Sequence, residues 1–108
     1  MRALVLAVVG GCSWATVTPP PRIPGPPPVD CTQTATAPVV DTMVAVLAVG
    51  VAIATTAYTA VTAANHEENL FGTSYYGAVV FASTGGMFAL SAHHGYTTTA
   101  RCRALNSD

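Results

Sequence analysis

The stretch TMVAVLAVGVAIATTAYTAVTAA, from Thr42 to Ala64, carries no charge and no proline. Its apolar residues do not alternate with a period of two, and its 23 residues far exceed a normal strand. As an α-helix it spans about 35 Å, enough for a hydrocarbon core of about 30 Å. Asp41 stands directly before it, where a carboxylate can accept the first free amides and suits the positive helix end. A helix over 42–64 is therefore expected.

Asn65-His66-Glu67-Glu68-Asn69 interrupts the apolar text. Asn65 either closes the first helix in a left-handed conformation or caps a second one, with Glu68 three residues on. The next apolar segment predicts a helix over about 72–94, starting between Phe71 and Ser74. It is dotted with Gly72, Gly77, Gly85 and Gly86. Each glycine lowers helix propensity by about 1 kcal/mol in water, yet lets helix backbones approach. Small residues recur at i+4 steps on both segments: Ala48, Ala52, Thr56, Ala60 and Ala64 on the first, Ser74, Ala78, Ala82 and Gly86 on the second. Two such stripes facing each other give a close antiparallel seam, with Val, Ile, Leu and Phe turned outward. The expected fold is all-α, a two-helix antiparallel apolar hairpin over 41–96. Gly95-Tyr96 is expected to end the second helix and 97–108 to form a polar tail.

The N-terminal third reads differently. Met1-Arg2 is followed by the apolar run Ala3 to Val9 and then Gly10-Gly11-Cys12. One early cation, an apolar core and small residues make the layout of a secretory signal over 1–11. Ser13-Trp14-Ala15 is a rival cleavage site of the small-x-small kind, and an uncleaved chain is a third alternative. Seven of the eight prolines fall between Pro19 and Pro28, inside a Pro- and Thr-rich linker over 12–40. Such a run favours extended polyproline II or disorder, and as a spacer it reaches roughly 30 Å.

Composition excludes several function classes. Net charge is -1, charged residues make up 8% of the chain, and lysine is absent, so nothing marks a nucleic-acid partner. With 51% apolar residues and a mean hydropathy of +0.47, the chain reads as lipid-associated. His66-Glu67-Glu68 lacks the second histidine of a zinc-protease helix, since Leu70 stands at that place. Adjacent His93 and His94 point about 100° apart on a helix and cannot readily chelate one ion. No nucleophile elbow or phosphate loop is present, so neither an enzyme, a cofactor nor a metal site is expected. Tyr75, Tyr76 and Tyr96 read as interfacial aromatics. Three cysteines leave two after Cys12, and an exported compartment permits Cys31 and Cys102 to pair, the alternative being two free thiols.

An apolar residue, two small ones and a cysteine resemble the lipobox of bacterial lipoproteins, cut before the cysteine that then carries the lipid. From Cys12 to Arg103 the chain resembles a group of small bacterial lipoproteins of unknown activity. It carries Cys31, Ala37-Pro38, Asp41, an acidic tip at Glu67-Glu68, Gly95-Tyr96 and Cys102-Arg103 in their order. The resemblance implies lipidation at Cys12 with palmitate-type acyl chains, and Ser13 after that cysteine implies sorting to the outer rather than the inner membrane. It implies no reaction. The expectation is a lipid-anchored envelope protein with a structural or interaction role, its partners membrane lipid and a second copy or an envelope protein. The alternative is a double-spanning hairpin that oligomerises as a pore or transport accessory.

Overall fold

The computed structural model describes residues 11–65 and 71–107, with the side chains of all but 71–74 among them. Among the described residues there are three helices: a short α1, Cys12–Thr16; α2, Thr36–Ala64; and α3, Phe71–Leu105. The two long helices, of 29 and 35 residues, pack against each other as an all-α hairpin. They run antiparallel. Asp41 meets Ser91, while a Cβ at Gly85 would touch Val49, so the partner number falls as the chain climbs. The signal residues 1–10 and the tip residues His66, Glu67, Glu68 and Asn69 lie outside the described residues.

Both long helices outrun their expected bounds. α2 begins at Thr36, not Thr42, and takes in Pro38. A proline in the first turn loses nothing there, because the amides of that turn have no intrahelical acceptor. Asp41 is consequently inside the helix and does not cap it. Asn65 follows α2 with φ -92°, so it does not adopt the left-handed conformation. α3 runs through Gly95-Tyr96 to Leu105, and most of the expected polar tail is helical. The hydroxyls of Thr97 and Thr99 donate to the carbonyls of His93 and Gly95 one turn back, which leaves these polar residues satisfied within a helix. Arg103 in the last turn suits the negative helix end.

The seam is built from small residues, but in a different register from the expected one. On α2 the buried positions are Pro38, Asp41, Ala45, Ala48, Ala52, Thr59 and Thr62, with Thr55 half-buried. On α3 they include Gly85, Phe88, Ala92, Gly95, Thr99 and Cys102. Steps alternate between three and four, the spacing that keeps a stripe facing its partner along two nearly parallel axes. A stripe of constant i+4 steps turns by about 40° per step and drifts off the interface. Thus Ala48 and Ala52 lie in the seam, whereas Thr56, Ala60, Ala82 and Gly86 are exposed and Ala78 is half-buried. The Ser74 side chain lies outside the described ones. Buried Thr59 and Thr62 return their hydroxyls to carbonyls one turn back, so neither hydroxyl is stranded. With Ala, Gly and Thr inside, the large apolar side chains point out: Leu47 is 70% exposed, Val46 66% and Leu90 63%.

α3 extends beyond the start of α2 by about two turns, and the N-terminal segment covers this overhang. Cys31 and Cys102 form a disulfide across it. Asn106 accepts a hydrogen bond from the Val29 amide (2.7 Å) and donates to the Val29 carbonyl (3.1 Å). The proline-rich run is not a free spacer. The Thr18 amide donates to Thr32 Oγ1 (2.9 Å) and the Thr32 amide to the Thr18 carbonyl (3.1 Å), which closes the run into a loop. Its prolines 19–21 and 24 face Thr97, Thr98 and Arg101 of α3 across a shallow cleft. Prolines lack the donors for secondary structure, but residues at both ends of the run retain theirs, and those tie it down.

Candidate functional site

A cluster of polar contacts sits at the base of the hairpin, where α1 enters. Asp41 lies on the seam face of α2, in step with Ala45 and Ala48, and has no exposed surface. Its Oδ1 accepts the Cys12 amide at 2.7 Å; its Oδ2 accepts the Ser13 amide at 2.8 Å and the Ser91 hydroxyl at 2.6 Å. Asp41 therefore does the capping that sequence reading assigned to it, but for α1, 29 residues away, and not for its own helix. Ser91, itself fully buried, reaches the carboxylate from α3, so three segments converge on one side chain.

Two glycines make the convergence possible. Gly11 precedes Cys12 with φ +84°, in the region that favours glycine, and a Cβ there would overlap the Ser91 side chain. Gly95 faces α1 from α3, where a Cβ would come within 2.5 Å of Ser13 Oγ and 2.9 Å of Pro38 Cβ. Gly95 thus serves close approach rather than helix termination. Ser13 is fully buried, and its hydroxyl makes no hydrogen bond of full geometry.

Electrostatics follow from this geometry. Burial alone would raise the Asp41 carboxyl pKa. The Ser91 hydroxyl and the amides of Ser13 and Cys12 outweigh it and hold the pKa below the ordinary 3.8. These donors keep the ionised form in place despite full burial. The same surroundings act oppositely on Cys12. Burial, then the Asp41 charge and its hydrogen bond, push the thiol above its ordinary 9.0. A thiol so held stays protonated and is a weak nucleophile in the folded chain.

The three cysteines divide cleanly. Cys31 and Cys102 are joined, and Cys12 is the free one, half-buried on α1. Next to it Trp14 is 57% exposed and packs edge-on against His94, ring centres 6.3 Å apart. Among the described residues no three His, Cys, Asp or Glu side chains gather as metal ligands. The i+4 stripe residues find another use. Thr56, Ala60, Ala78 and Ala82, with Val49 and Ile53, line an open apolar groove of about 550 Å³ beside the seam.

Sequence reasoning singled out Cys12, Asp41 and Gly95 but did not bring them together, and it passed over Ser91 and Asn106. One signal was available. Counting back from Ala52 through Ala48 and Ala45 in steps of four and three lands on Asp41, which places an acid in the seam. No family model matches the chain, and neither a curated protein nor a solved structure matches it.

Proposed function

We propose that the chain is an exported envelope lipoprotein, anchored through lipid on Cys12, whose hairpin is an assembly element and carries no catalytic site. The observation that carries this reading is the division of the cysteines. A disulfide between Cys31 and Cys102 suits an oxidising, exported compartment. Cys12 alone is left for modification, at the hairpin's base beside an exposed tryptophan of the kind found at membrane interfaces. The outward-facing Val46, Leu47, Ile53 and Leu90 supply the assembly surface, because an apolar face of this extent calls for cover.

The double-spanning alternative draws on α2, whose Thr36–Ala64 is long and apolar enough to cross a membrane. A double span asks the same of α3, which carries Ser91, His93, His94, Thr97, Thr98 and Thr99 in its second half. The anchored hairpin is therefore the better reading. Intact-mass analysis of protein extracted from membranes tests it: loss of residues 1–11, added lipid and two hydrogens missing from the remaining cysteines are expected. A full-length, unacylated mass overturns the anchor. Crosslinking in membranes tests assembly, and monomers alone at every crosslinker concentration would refute that part.

A further inference from the structure

We propose that Asp41 is the counter-ion of the mature amino terminus: once the chain is cut between Gly11 and Cys12, the Cys12 α-ammonium docks into the Asp41–Ser91 socket and is withheld from acylation. This rests on the lipoprotein reading and adds a prediction about how many acyl chains the protein bears.

Three observations carry it. First, Asp41 is wholly buried, and among the described residues no cationic side chain pairs with it. Its three donors keep the carboxylate ionised, so it presents a buried negative charge that no described side chain neutralises. Second, one of its three donors is the Cys12 nitrogen, at 2.7 Å, the atom that cleavage would turn into a cation. Cleavage breaks the Gly11–Cys12 amide and adds water: Gly11 leaves as a carboxylate, and the Cys12 nitrogen takes up protons to become an ammonium. When α1 then docks, the contact that the amide makes with Asp41 at 2.7 Å becomes an ion pair. Third, the uncut chain enters the socket through buried Gly11, which is pressed against Ser91 with φ +84°. Removal of Gly11 clears that space for the added N–H groups. Ser13 Oγ, the one buried side-chain polar atom without a hydrogen bond among the described residues, leaves an acceptor unused in the same socket.

Acylation of the nitrogen needs its lone pair free and reachable. Paired with Asp41 and packed under Ser91, the amine offers neither, so the sulfur carries lipid and the nitrogen does not. Buried Gly11 also implies that cutting precedes docking of α1, since a protease has no access to the folded form.

The chain has no lysine, so the α-amine is its only primary amine and an amine-reactive ester reports on it alone. The mature full chain, extracted in mild detergent, is labelled at fixed pH before and after unfolding. An amine paired with a carboxylate reacts at least roughly tenfold more slowly when folded, following the pKa rise that an adjacent opposite charge produces. Asp41→Asn should bring the folded rate to within about threefold of the unfolded one, as the cation-stabilising charge is gone. Ser91→Ala, which leaves the nitrogen's partner in place, should stay slow. If Asp41→Asn does not fold, the folded-to-unfolded ratio of the wild-type chain decides by itself. Equal rates in the two states of a chain that is helical by circular dichroism overturn the pairing. So does a mass showing an acyl chain on the nitrogen, which leaves the lipoprotein reading standing. An uncut leader overturns both.

Discussion

Replacing Asp41 by Asn keeps the side chain's shape and removes its charge. Three donors converge on the carboxylate, from Cys12, Ser13 and Ser91, at 2.6 to 2.8 Å. An Asn amide has one oxygen for them and turns an NH₂ toward the rest, so it keeps one or two of the bonds at best. Hydrogen bonds to a charged acceptor contribute about 1.5–3 kcal/mol each. Relief from burying a charge offsets part of the loss. The net expectation is a destabilisation of about 2–4 kcal/mol, or a fall in Tm of roughly 10 °C or more for a chain of this size. Thermal unfolding followed by far-ultraviolet circular dichroism in one detergent checks it. The same experiment carries a pH arm. The folded pKa lies below the ordinary 3.8, so unfolding takes up a proton in the interval between the two values. The stabilisation is complete above the unfolded value, near 4, and drains away as pH falls through the folded one. Wild-type Tm should hold on the neutral side and drop in that acid range, and Asp41→Asn should remove most of the drop. A variant that melts within 2 °C of wild type, with an identical acid limb, would refute the claim that this carboxylate ties α1 to the hairpin (an assay threshold about half the shift of 1 kcal/mol).

The remaining expectations concern the packing around the socket. Reduction of the Cys31–Cys102 disulfide reopens a loop of 71 residues, for which loop-closure entropy gives a loss of about 4 kcal/mol, read as a lower Tm with reductant. Gly77→Ala and Gly86→Ala meet nothing within 4 Å, so each should stabilise by up to about 1 kcal/mol through helix propensity. Gly95→Ala drives a Cβ to 2.5 Å from Ser13 Oγ and should cost about 1–3 kcal/mol, so opposite signs in denaturant titrations test the close approach of α1. Asn106→Ala removes both hydrogen bonds to Val29 and should strip hydrogen-exchange protection from the Val29 amide, while protection in α2 is unchanged.

The hairpin was legible in the sequence because its signals are local. An uncharged run of helix length, a polar interruption and a second glycine-dotted run leave few alternatives to two antiparallel helices. What local patterns could not carry was the competition for Asp41. Next to Thr42 it satisfies the rules for an N-cap, yet it lies inside a helix that starts at Thr36 and accepts the amide of Cys12, 29 residues earlier. Gly95 misled for the same reason. Glycine after an apolar helix reads as a stop, yet here it makes room for Ser13. The seam register was recoverable, since steps of three and four from Ala52 give Ala48, Ala45 and Asp41; the constant i+4 stripe instead lines the neighbouring groove.

The proline run changes meaning once its ends are seen to meet. As a tether of roughly 30 Å it would let the hairpin wander over that distance from an anchor at Cys12. With Thr18 bonded to Thr32, Val29 to Asn106 and Cys31 to Cys102, the run leaves the hairpin and returns to it. Cys12 itself is bonded to Asp41 at the hairpin's base. On the proposed reading, lipid on Cys12 is thus attached to the rigid body, and no flexible segment intervenes. The hairpin then stands at a fixed height and tilt on its membrane, with Trp14 at the interface. Its exposed apolar flank meets neighbours in one orientation, which favours an ordered lateral contact over random collision. Loss of the Asp41 contact would therefore act on assembly as well as on stability, because it frees the anchor from the surface it orients.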